Sequence, residues 1–456
     1  MNFKKYTLAM IMGAASLSAV AQNTQSGYFV EDYTYRFQMN PAYGNSKGFV
    51  SMPGIGNLNV SVAGNLHLTD ILYNVNGQTT TFLNPNISVS EAMSGFSEKN
   101  RLGFGLKLGV LSFGFKGFHG YNTVSINVKT SLETHLPKSI FSLLKEGLSN
   151  REYSIENTRA HARAYAEIAL GHSHDINSEW RVGATAKVLV GAGDISADLA
   201  QAKLNLGTDN WIVQSNGTIN ASVKGLTYDH KLNSDTGHEY VSGVDIDSPG
   251  VNGMGFAVDL GAIYKPSFLP DLTFSAAIID LGFMKWKNNM LASTNGVQIF
   301  ETNKYTFSVD DDAPNSFDNE KDRIKDDLSA LYELNDMGDQ GGRTTGIGTT
   351  FNIGAEYTFP YYRKLTFGLL NTTHIQGEYS WTDFRLSANV APVKAFDASA
   401  NIALGTYGFS FGWLANVHCP GFNLFLGMDH TVGKLSKQFV PLSSNAQFNL
   451  GLNFLF

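Results

Sequence analysis

Long stretches in which apolar side chains alternate with polar or small ones recur along the whole chain. Two clear examples, WRVGATAKVLV at 180–190 and MGFAVDLGAIY at 254–264, are each 11 residues long. Alternation with a period of two indicates a β-strand whose two faces meet different surroundings. A tilted strand needs about 9–11 residues to cross a bilayer, whereas strands of soluble proteins usually have 5–6. The pattern therefore favours strands that span a membrane.

The alternation delimits fourteen candidate strands. They lie at 57–68, 102–116, 121–132, 163–172, 180–190, 254–264, 272–282, 349–359, 365–372, 384–390, 396–404, 407–415, 422–428 and 447–456. The first is the least regular, and the region after it (69–101) leaves room for an additional pair. An even number of long strands is typical of outer-membrane barrels.

The connections between these candidates fall into two length classes. Those after even-numbered strands are short, as expected for the periplasmic turns of an outer-membrane barrel whose first strand runs outward. The long ones, including 191–253, 283–348 and 429–446, follow odd-numbered strands, with the short Gly405-Thr406 turn as an exception. A secreted β-sandwich, the soluble alternative, predicts shorter strands and no such division. We therefore predict an all-β fold, a transmembrane antiparallel β-barrel of about 14 strands.

Both ends of the chain fit export to an outer membrane. Lys4 and Lys5, an apolar run at 8–17 and an A-x-A pattern predict a signal peptide over 1–21, cleaved after Ala21. The chain ends QFNLGLNFLF, and in a closed barrel such a strand pairs with the first and leaves no free edge. Phe454 and Phe456 resemble the C-terminal signal that barrel assembly machinery reads. Outer-membrane lipid and that machinery are the expected partners.

An aromatic segment precedes the first candidate strand. Residues 22–56 include SGYFVEDYTYRFQMNPAYG (26–44), which is too aromatic for a free periplasmic tail. Eight strands already give an interior that side chains fill, so fourteen leave space. We expect this segment to enter the lumen of the barrel (57–456) as a hatch; an extra strand or a belt against the rim is the alternative. The hatch candidates are Tyr28, Phe29, Tyr33, Tyr35, Phe37, Asn40 and Pro41.

Charged residues on the strand faces opposite the apolar ones are expected to point into the lumen. An Arg or Lys facing lipid at mid-membrane costs about 2–4 kcal/mol, so these groups avoid the outer face. The candidates are Lys107, Lys129, Arg163, Glu167, Arg181, Lys187, Asp259, Glu356, Arg385 and Asp397. Six are positive and four negative, which argues against a strongly ion-selective pore. They either pair to solvate the interior or line a pathway and hold the hatch.

The sequence gives little support for nucleic-acid binding, catalysis or metal binding. The net charge of −7 gives no basic field for nucleic acid. Cys419 lies in a tight turn without a local base, so we predict no enzyme and no cofactor. His172 and His174 share a face without an obvious third ligand, and no metal site is predicted. The acidic run at 309–340 lacks the spacing of an EF-hand loop and reads as a solvated outer loop, with loose calcium binding as the competing interpretation.

Two short motifs carry a resemblance to a known group of proteins. Asn40-Pro41-Ala42 resembles an element near the start of FadL-like (fatty-acid-transporter-like) barrels, and LTFSAAIIDLGFMKW (272–286) looks like a mid-barrel segment of that group. Together with the predicted signal peptide and the terminal Phe456, these motifs make the chain resemble a Bacteroidota outer-membrane family of unknown function. That family is close to the FadL-like and PorV-like barrels. The resemblance implies a fourteen-stranded barrel with a luminal N-terminal segment. It transfers no ligand site.

Two classes of function remain. The fold favours a barrel that passes a small, apolar molecule through a gated lumen. The alternative is a surface or secretion-accessory barrel that binds a protein partner through its outer loops. The amphipathic stretch at 137–150 predicts a short helix that caps the barrel mouth or contacts such a partner.

Overall fold

The computed structural model describes most of the chain. The described residues are 24–146, 152–206, 210–232, 237, 239–294, 296–301, 334–431 and 446–456. The predicted signal peptide and most of the acidic run at 309–340 lie outside them. Within the described residues, no helix has the length and hydropathy needed to cross a membrane.

The secondary structure is dominated by strands. In chain order they are β1 (Phe49–Ser51), β2 (Leu58–Gly64), β3 (Leu72–Val75), β4 (Gln78–Thr81), β5 (Lys99–Gly117), β6 (Gly120–Pro137), β7 (Glu152–Asp175), β8 (Trp180–Leu206), β9 (Asn210–Val223), β10 (Leu226–Leu232), β11 (Glu239–Ile246), β12 (Gly253–Tyr264), β13 (Leu272–Trp286), β14 (Met290–Thr294), β15 (Gly296–Glu301), β16 (Leu334–Asp339), β17 (Thr344–Gly346), β18 (Thr349–Thr358), β19 (Leu365–Ile375), β20 (Trp381–Val393), β21 (Phe396–Gly405), β22 (Gly408–Cys419), β23 (Phe422–Thr431) and β24 (Ala446–Leu455). The helices are α1 (Leu68–Ile71), α2 (Val89–Ser94) and α3 (Lys138–Glu146), with 3₁₀ turns at Gln25–Gly27, Arg36–Gln38 and Gly377–Tyr379.

Fourteen antiparallel strand positions close into a barrel, which confirms the predicted fold class. The first position is divided between β1 and β2, and the eighth between β17 and β18; the others are β5 to β8, β12, β13 and β19 to β24. The last strand closes on the first, with Leu450 opposite Leu58 and Leu455 opposite Phe49. Phe456 and Gly48 also exchange two backbone hydrogen bonds of 3.0 Å. The C-terminal strand therefore has both edges paired.

Two sequence expectations need correction. The barrel begins at Phe49 and not at residue 57, because β1 pairs with both β24 and β5. The connections 191–253 and 283–348 are not plain loops: β8 continues to Leu206, and β9 and β14 to β16 extend the sheet beyond it. Above the membrane both faces of a strand can be polar, so these strands need no apolar alternation. The predicted additional pair in 69–101 is the hairpin of β3 and β4, which lies outside the barrel sheet.

The two faces of the barrel strands meet different surroundings, as the alternation predicts. On β8, Ala184, Ala186 and Val188 are exposed on the outer surface, whereas Thr185 and Lys187 are buried inside. Trp180 stacks on Tyr264 at the periplasmic end, with 4.5 Å between ring centroids. A ring with an apolar body and a polar tip suits the boundary between lipid and water. The outer surface thus has the apolar band and aromatic edge of a membrane-spanning barrel.

The outer end carries additional structure above the first strands. The β3–β4 hairpin and α1 to α3 share an apolar cluster that contains Phe82, Phe96 and Phe141. The Phe96 and Phe141 rings stack with centroids 4.0 Å apart. The helix predicted at 137–150 is observed as α3, and its last residues lie outside the described part of the chain.

Candidate functional site

Residues 24–48, called here the lumen segment, lie inside the barrel. The five hatch-candidate aromatic side chains are at most 5% exposed, and Asn40 is completely buried. They form one apolar cluster with wall residues that include Leu370, Leu414 and Phe425. Phe425 lies 5.0 Å from Tyr33, ring to ring, in an edge-on contact. The core of the barrel is therefore built largely by the lumen segment.

The lumen segment is folded on itself by short-range bonds. Backbone N–H groups from Gly27 to Tyr43 donate to carbonyl oxygens three or four residues earlier in the segment. Arg36 adds a staple, since its Nε donates to the Tyr28 carbonyl at 3.1 Å and its guanidinium lies 3.9 Å from the Tyr43 ring centroid. These contacts make the segment a compact unit.

The lumen segment meets the wall through polar side chains. Tyr35 Oη donates to Asn453 Oδ1 at 2.8 Å, and Thr34 Oγ1 donates to Asn423 Oδ1 at 2.9 Å. Asn352 Nδ2 donates to the Met39 carbonyl at 2.8 Å, on the other side of the lumen. Buried polar groups need such partners, and each bond contributes about 1 kcal/mol.

Wall glycines allow the lumen segment to approach the strands closely. A Cβ on Gly368 would lie 2.2 Å from Phe29 Cδ2, and one on Gly261 would lie 2.0 Å from Asn40 Oδ1. Both distances are far below van der Waals contact. The wall is thus shaped to the Phe29 ring and to the Asn40-Pro41 step.

An ion pair on the wall holds the tip of the lumen segment. Asp429 lies 2.9 Å from Arg385 Nη1 and accepts hydrogen bonds from both the backbone N–H and the hydroxyl of Ser26. Arg385 also pairs with Asp383 at 2.9 Å. All three charged side chains are buried.

A second ionic network lies above the segment, on the neighbouring strands β6, β7, β8, β12 and β13. Lys129 pairs with Glu167 at 2.7 Å, and Lys187 pairs with Asp259 at 2.7 Å. Asp280 joins the two halves, 3.2 Å from Lys129 and 2.6 Å from Lys187. Mutual pairing offsets the cost of removing these charges from water.

The network is linked to the lumen segment through Lys107, whose Nζ donates to Gln38 Oε1 at 2.6 Å. Only about 20 Å³ remains free between Phe37, Gln38 and the network. At this level the lumen is therefore filled.

Asp280 enters the network because of a β-bulge. Ser275, Ala277 and Ile279 point inward, so strict alternation would turn Asp280 towards lipid. The register shifts at this point, Asp280 has a φ of 58°, and its N–H donates to Asp259 Oδ1 at 2.8 Å. A bulge adds one residue to a strand and reverses the alternation beyond it. Alternation alone could not place this carboxylate in the lumen.

A third charged group lies on the outward continuation of β7 and β8, beyond the membrane-spanning 180–190. Asp194 is fully buried and lies 2.6 Å from both Arg163 Nε and Arg343 Nη2, and 2.9 Å from His161 Nε2. Burial raises its pKa, but the hydrogen bond with His161 and the nearby Arg charges lower the pKa of Asp194 to about 2. The carboxylate is thus a fixed negative charge that joins β7, β8 and the stretch before β17.

A cavity of about 1180 Å³ opens at the periplasmic end, below the lumen segment. Arg181 and Glu356 line this vestibule together with Arg36 and Tyr43 of the segment. Arg181 Nη2 donates to Ser173 Oγ at 3.2 Å. The lumen segment therefore separates a wide periplasmic vestibule from the filled interior.

The structure brings together some of the sequence-predicted residues and separates others. Of the ten charged candidates, five form the network with Asp280, namely Lys107, Lys129, Glu167, Lys187 and Asp259. The other five lie apart: Arg163 with Asp194, Arg385 with Asp429, Asp397 beside His418, and Arg181 and Glu356 in the vestibule. Phe454 and Phe456 are more than half exposed on the outside.

The residues predicted from the sequence do not include Asp383, Asp429 or the inward asparagines that contact the lumen segment. The two aspartates lie one residue outside the strand boundaries predicted at 384–390 and 422–428. Asn423, Asn449 and Asn453 alternate with apolar residues on their strands, and this alternation was the signal that could have identified them.

Residues 41–429 match a family of unknown function, DUF5723. Among curated proteins, none matches the sequence.

Solved structures similar in fold include three barrels. The toluene transporter TbuX of Ralstonia pickettii is 10% identical, with a TM-score of 0.40 over 93% of this chain and 94% of that one. A FadL homologue of Pseudomonas aeruginosa is 8% identical, with a TM-score of 0.32 over 96% and 98%. The translocator domain of the autotransporter NalP from Neisseria meningitidis is 8% identical, with a TM-score of 0.34 over 91% and 90%.

Proposed function

Since the chain belongs to DUF5723, a family of unknown function, we propose from its geometry that it is an outer-membrane barrel that passes a small molecule through a gated lumen. The lumen segment is the gate. The predicted signal peptide and the apolar outer band support the outer-membrane location.

One observation carries the proposal. The lumen segment fills the interior, yet before Gly48, which pairs with Phe456 where the barrel begins, its backbone–backbone hydrogen bonds are internal and its contacts with the wall involve side chains. A segment held in this way can leave without breaking the strand ladder, in contrast to an added strand. Individual side-chain hydrogen bonds contribute only about 1 kcal/mol each, so opening needs no unfolding of the barrel.

The proposed substrate is small and apolar. Tyr28, Phe29, Tyr33, Tyr35 and Phe37 supply most of the apolar surface inside a lumen whose wall is largely polar. A small shift of the lumen segment exposes these rings to a solute that can replace their contacts with one another. Complete withdrawal leaves the asparagine-lined wall and a hydrated passage instead. Apolar and polar solutes therefore report different extents of movement.

Deletion of residues 27–45, with the signal peptide kept, tests the proposal. We expect the variant to fold as a heat-modifiable barrel and to admit small sugars in liposome swelling assays, whereas the full-length protein stays closed. The matched control deletes the β3–β4 hairpin (72–81), which lies outside the barrel sheet and should leave the lumen closed. A folded deletion variant as impermeable as the full-length protein would refute gating.

The outer extension favours a second candidate function, binding of a protein partner. The β10–β11 hairpin presents exposed apolar side chains, among them Leu232, Val244 and Ile246. Exposed apolar side chains grouped on one element favour an interaction site. If the hairpin binds a protein partner, removal of residues 226–246 should abolish partner binding to whole cells without any change in solute flux. The gating function predicts no loss of partner binding in this variant.

A further inference from the structure

Three ligand-type side chains meet where the lumen segment touches the periplasmic end of the wall. Asp32 belongs to the lumen segment, Asp397 to β21 and His418 to β22. One ligand atom of each lies within 4.8 Å of the others. The group therefore joins the movable segment to two neighbouring wall strands.

The His418 imidazole is buried and directed into this group. Its side chain is 6% exposed, and Nε2 lies 3.0 Å from Asp397 Oδ2 and 3.6 Å from Asp32 Oδ2. Despite these distances, Nε2 has no well-aligned hydrogen bond to either carboxylate. A buried ring nitrogen without a partner is costly. A cation between the three side chains removes this cost.

The spacing suits a transition-metal ion. Zn²⁺ binds imidazole nitrogen and carboxylate oxygen at about 2.0–2.2 Å, which places tetrahedral ligand atoms about 3.3–3.5 Å from each other. The two measured separations, 3.0 and 3.6 Å, bracket that value. An imidazole ligand favours such an ion over Mg²⁺ or Ca²⁺, which prefer oxygen alone.

Outer contacts hold the carboxylates in place. Asn416 Nδ2 donates to the Asp32 carbonyl at 3.0 Å and to Asp397 Oδ2 at 3.2 Å. Ser46 Oγ donates to Asp32 Oδ1 at 3.1 Å. Such second contacts orient metal ligands. The Asp32 side chain is 35% exposed, so the periplasm can supply both the ion and a water for the fourth position.

We propose that Asp32, Asp397 and His418 bind a divalent transition-metal ion of the Zn²⁺ type. The ion bridges the lumen segment and the wall. Its role as a latch rests on the proposed gating function, whereas binding itself does not.

Cobalt binding to the full-length barrel in detergent tests the site. After dialysis against a chelator, we expect one Co²⁺ per chain, with the visible absorption of a four-coordinate ion that Zn²⁺ abolishes. His418→Gln and Asp32→Asn should each weaken binding by more than about 100-fold, since loss of an outer contact alone costs 10–100-fold. His119→Gln and Asp271→Asn, which alter other periplasmic turns, should leave binding unchanged.

The Asp32 side chain is 35% exposed and belongs to no barrel strand, so Asp32→Asn leaves the strand pairing of the wall unchanged. No stoichiometric Co²⁺ in the wild-type protein, or equal affinity in Asp32→Asn, would overturn the site. Stoichiometric binding together with an impermeable 27–45 deletion variant would instead refute gating and leave the metal site in place.

Discussion

Gly368 gives a direct way to disturb the lumen segment from the wall. It lies on β19 in an extended conformation that alanine also adopts, so Gly368→Ala strains no backbone. Its new Cβ would lie 2.2 and 2.5 Å from two atoms of the Phe29 ring. The ring cannot easily move away, because Gly354 lies against its other end and Tyr28 packs edge-on with 4.9 Å between centroids.

The expected cost follows from this overlap. An extra carbon in a well-packed interior costs about 1–3 kcal/mol, and the cost falls on the closed position of the lumen segment. The population in which the segment has left its place should rise by about 5–150-fold. Hydrogen exchange of the backbone N–H groups of residues 27–43 should accelerate by the same factor, and exchange in the barrel strands should not.

The matched control is Gly346→Ala on β17, where an added Cβ meets nothing within 4 Å. A double-mutant cycle locates the effect: in a Phe29→Ala background, Gly368→Ala should lose most of its cost, because its collision partner is absent. Equal acceleration by both glycine variants, or an effect of Gly368→Ala that persists without the Phe29 ring, would refute the proposed packing.

Three further predictions concern the wall. Ala184→Arg on the outer face should destabilise the barrel by about 2–4 kcal/mol in denaturant unfolding, whereas Ala192→Arg beyond the span should cost at most about 1; equal losses would contradict the membrane position. Asp429→Asn should leave the buried Arg385 charge less compensated and lower the free energy of unfolding by about 3–5 kcal/mol. It should also accelerate hydrogen exchange near Ser26 of the lumen segment. The control Asp271→Asn, which breaks the exposed pair with Arg363, should cost less than about 1 kcal/mol. Deletion of Phe456 should lower the amount of assembled barrel far more than Phe448→Ala, which removes another outward ring of the same strand. Heat-modifiable migration would show the difference, and similar amounts of the two would exclude a terminal signal.

The membrane-spanning part of the fold could be predicted from the sequence, because lipid requires apolar side chains on the outer face of every strand. On β8, apolar Ala184, Ala186 and Val188 must alternate with Thr185 and Lys187, and this alternation is visible without a structure. Above the membrane this requirement ends. The continuation of β8 to Leu206 and the β3–β4 hairpin therefore had no comparable signal.

The residues of the candidate functional site could be predicted from the sequence only in part. The alternation along each strand identified Lys107, Lys129, Glu167, Lys187 and Asp259 as inward-facing. It could not show which of them contact each other, because those contacts depend on the stagger between strands. The bulge at Asp280 reverses the alternation of β13, so the pattern does not predict that this central carboxylate points inward. The meeting of Asp32, Asp397 and His418 depends on where the lumen segment lies, and no local pattern encodes that position.

Bridging the lumen segment to the wall tests gating most directly. In a Cys419→Ser, Gly368→Ala background, Thr34→Cys and Asn423→Cys replace a hydrogen-bonded pair of segment and wall with two thiols that a short bifunctional reagent can join. The control pair, Asn416→Cys and Asn423→Cys, joins two wall strands instead. Small-solute flux into liposomes should be raised in both proteins before treatment, and bridging should abolish it only where the lumen segment is tethered. Flux that persists after the segment is tethered would contradict the claim that residues 24–48 gate the lumen.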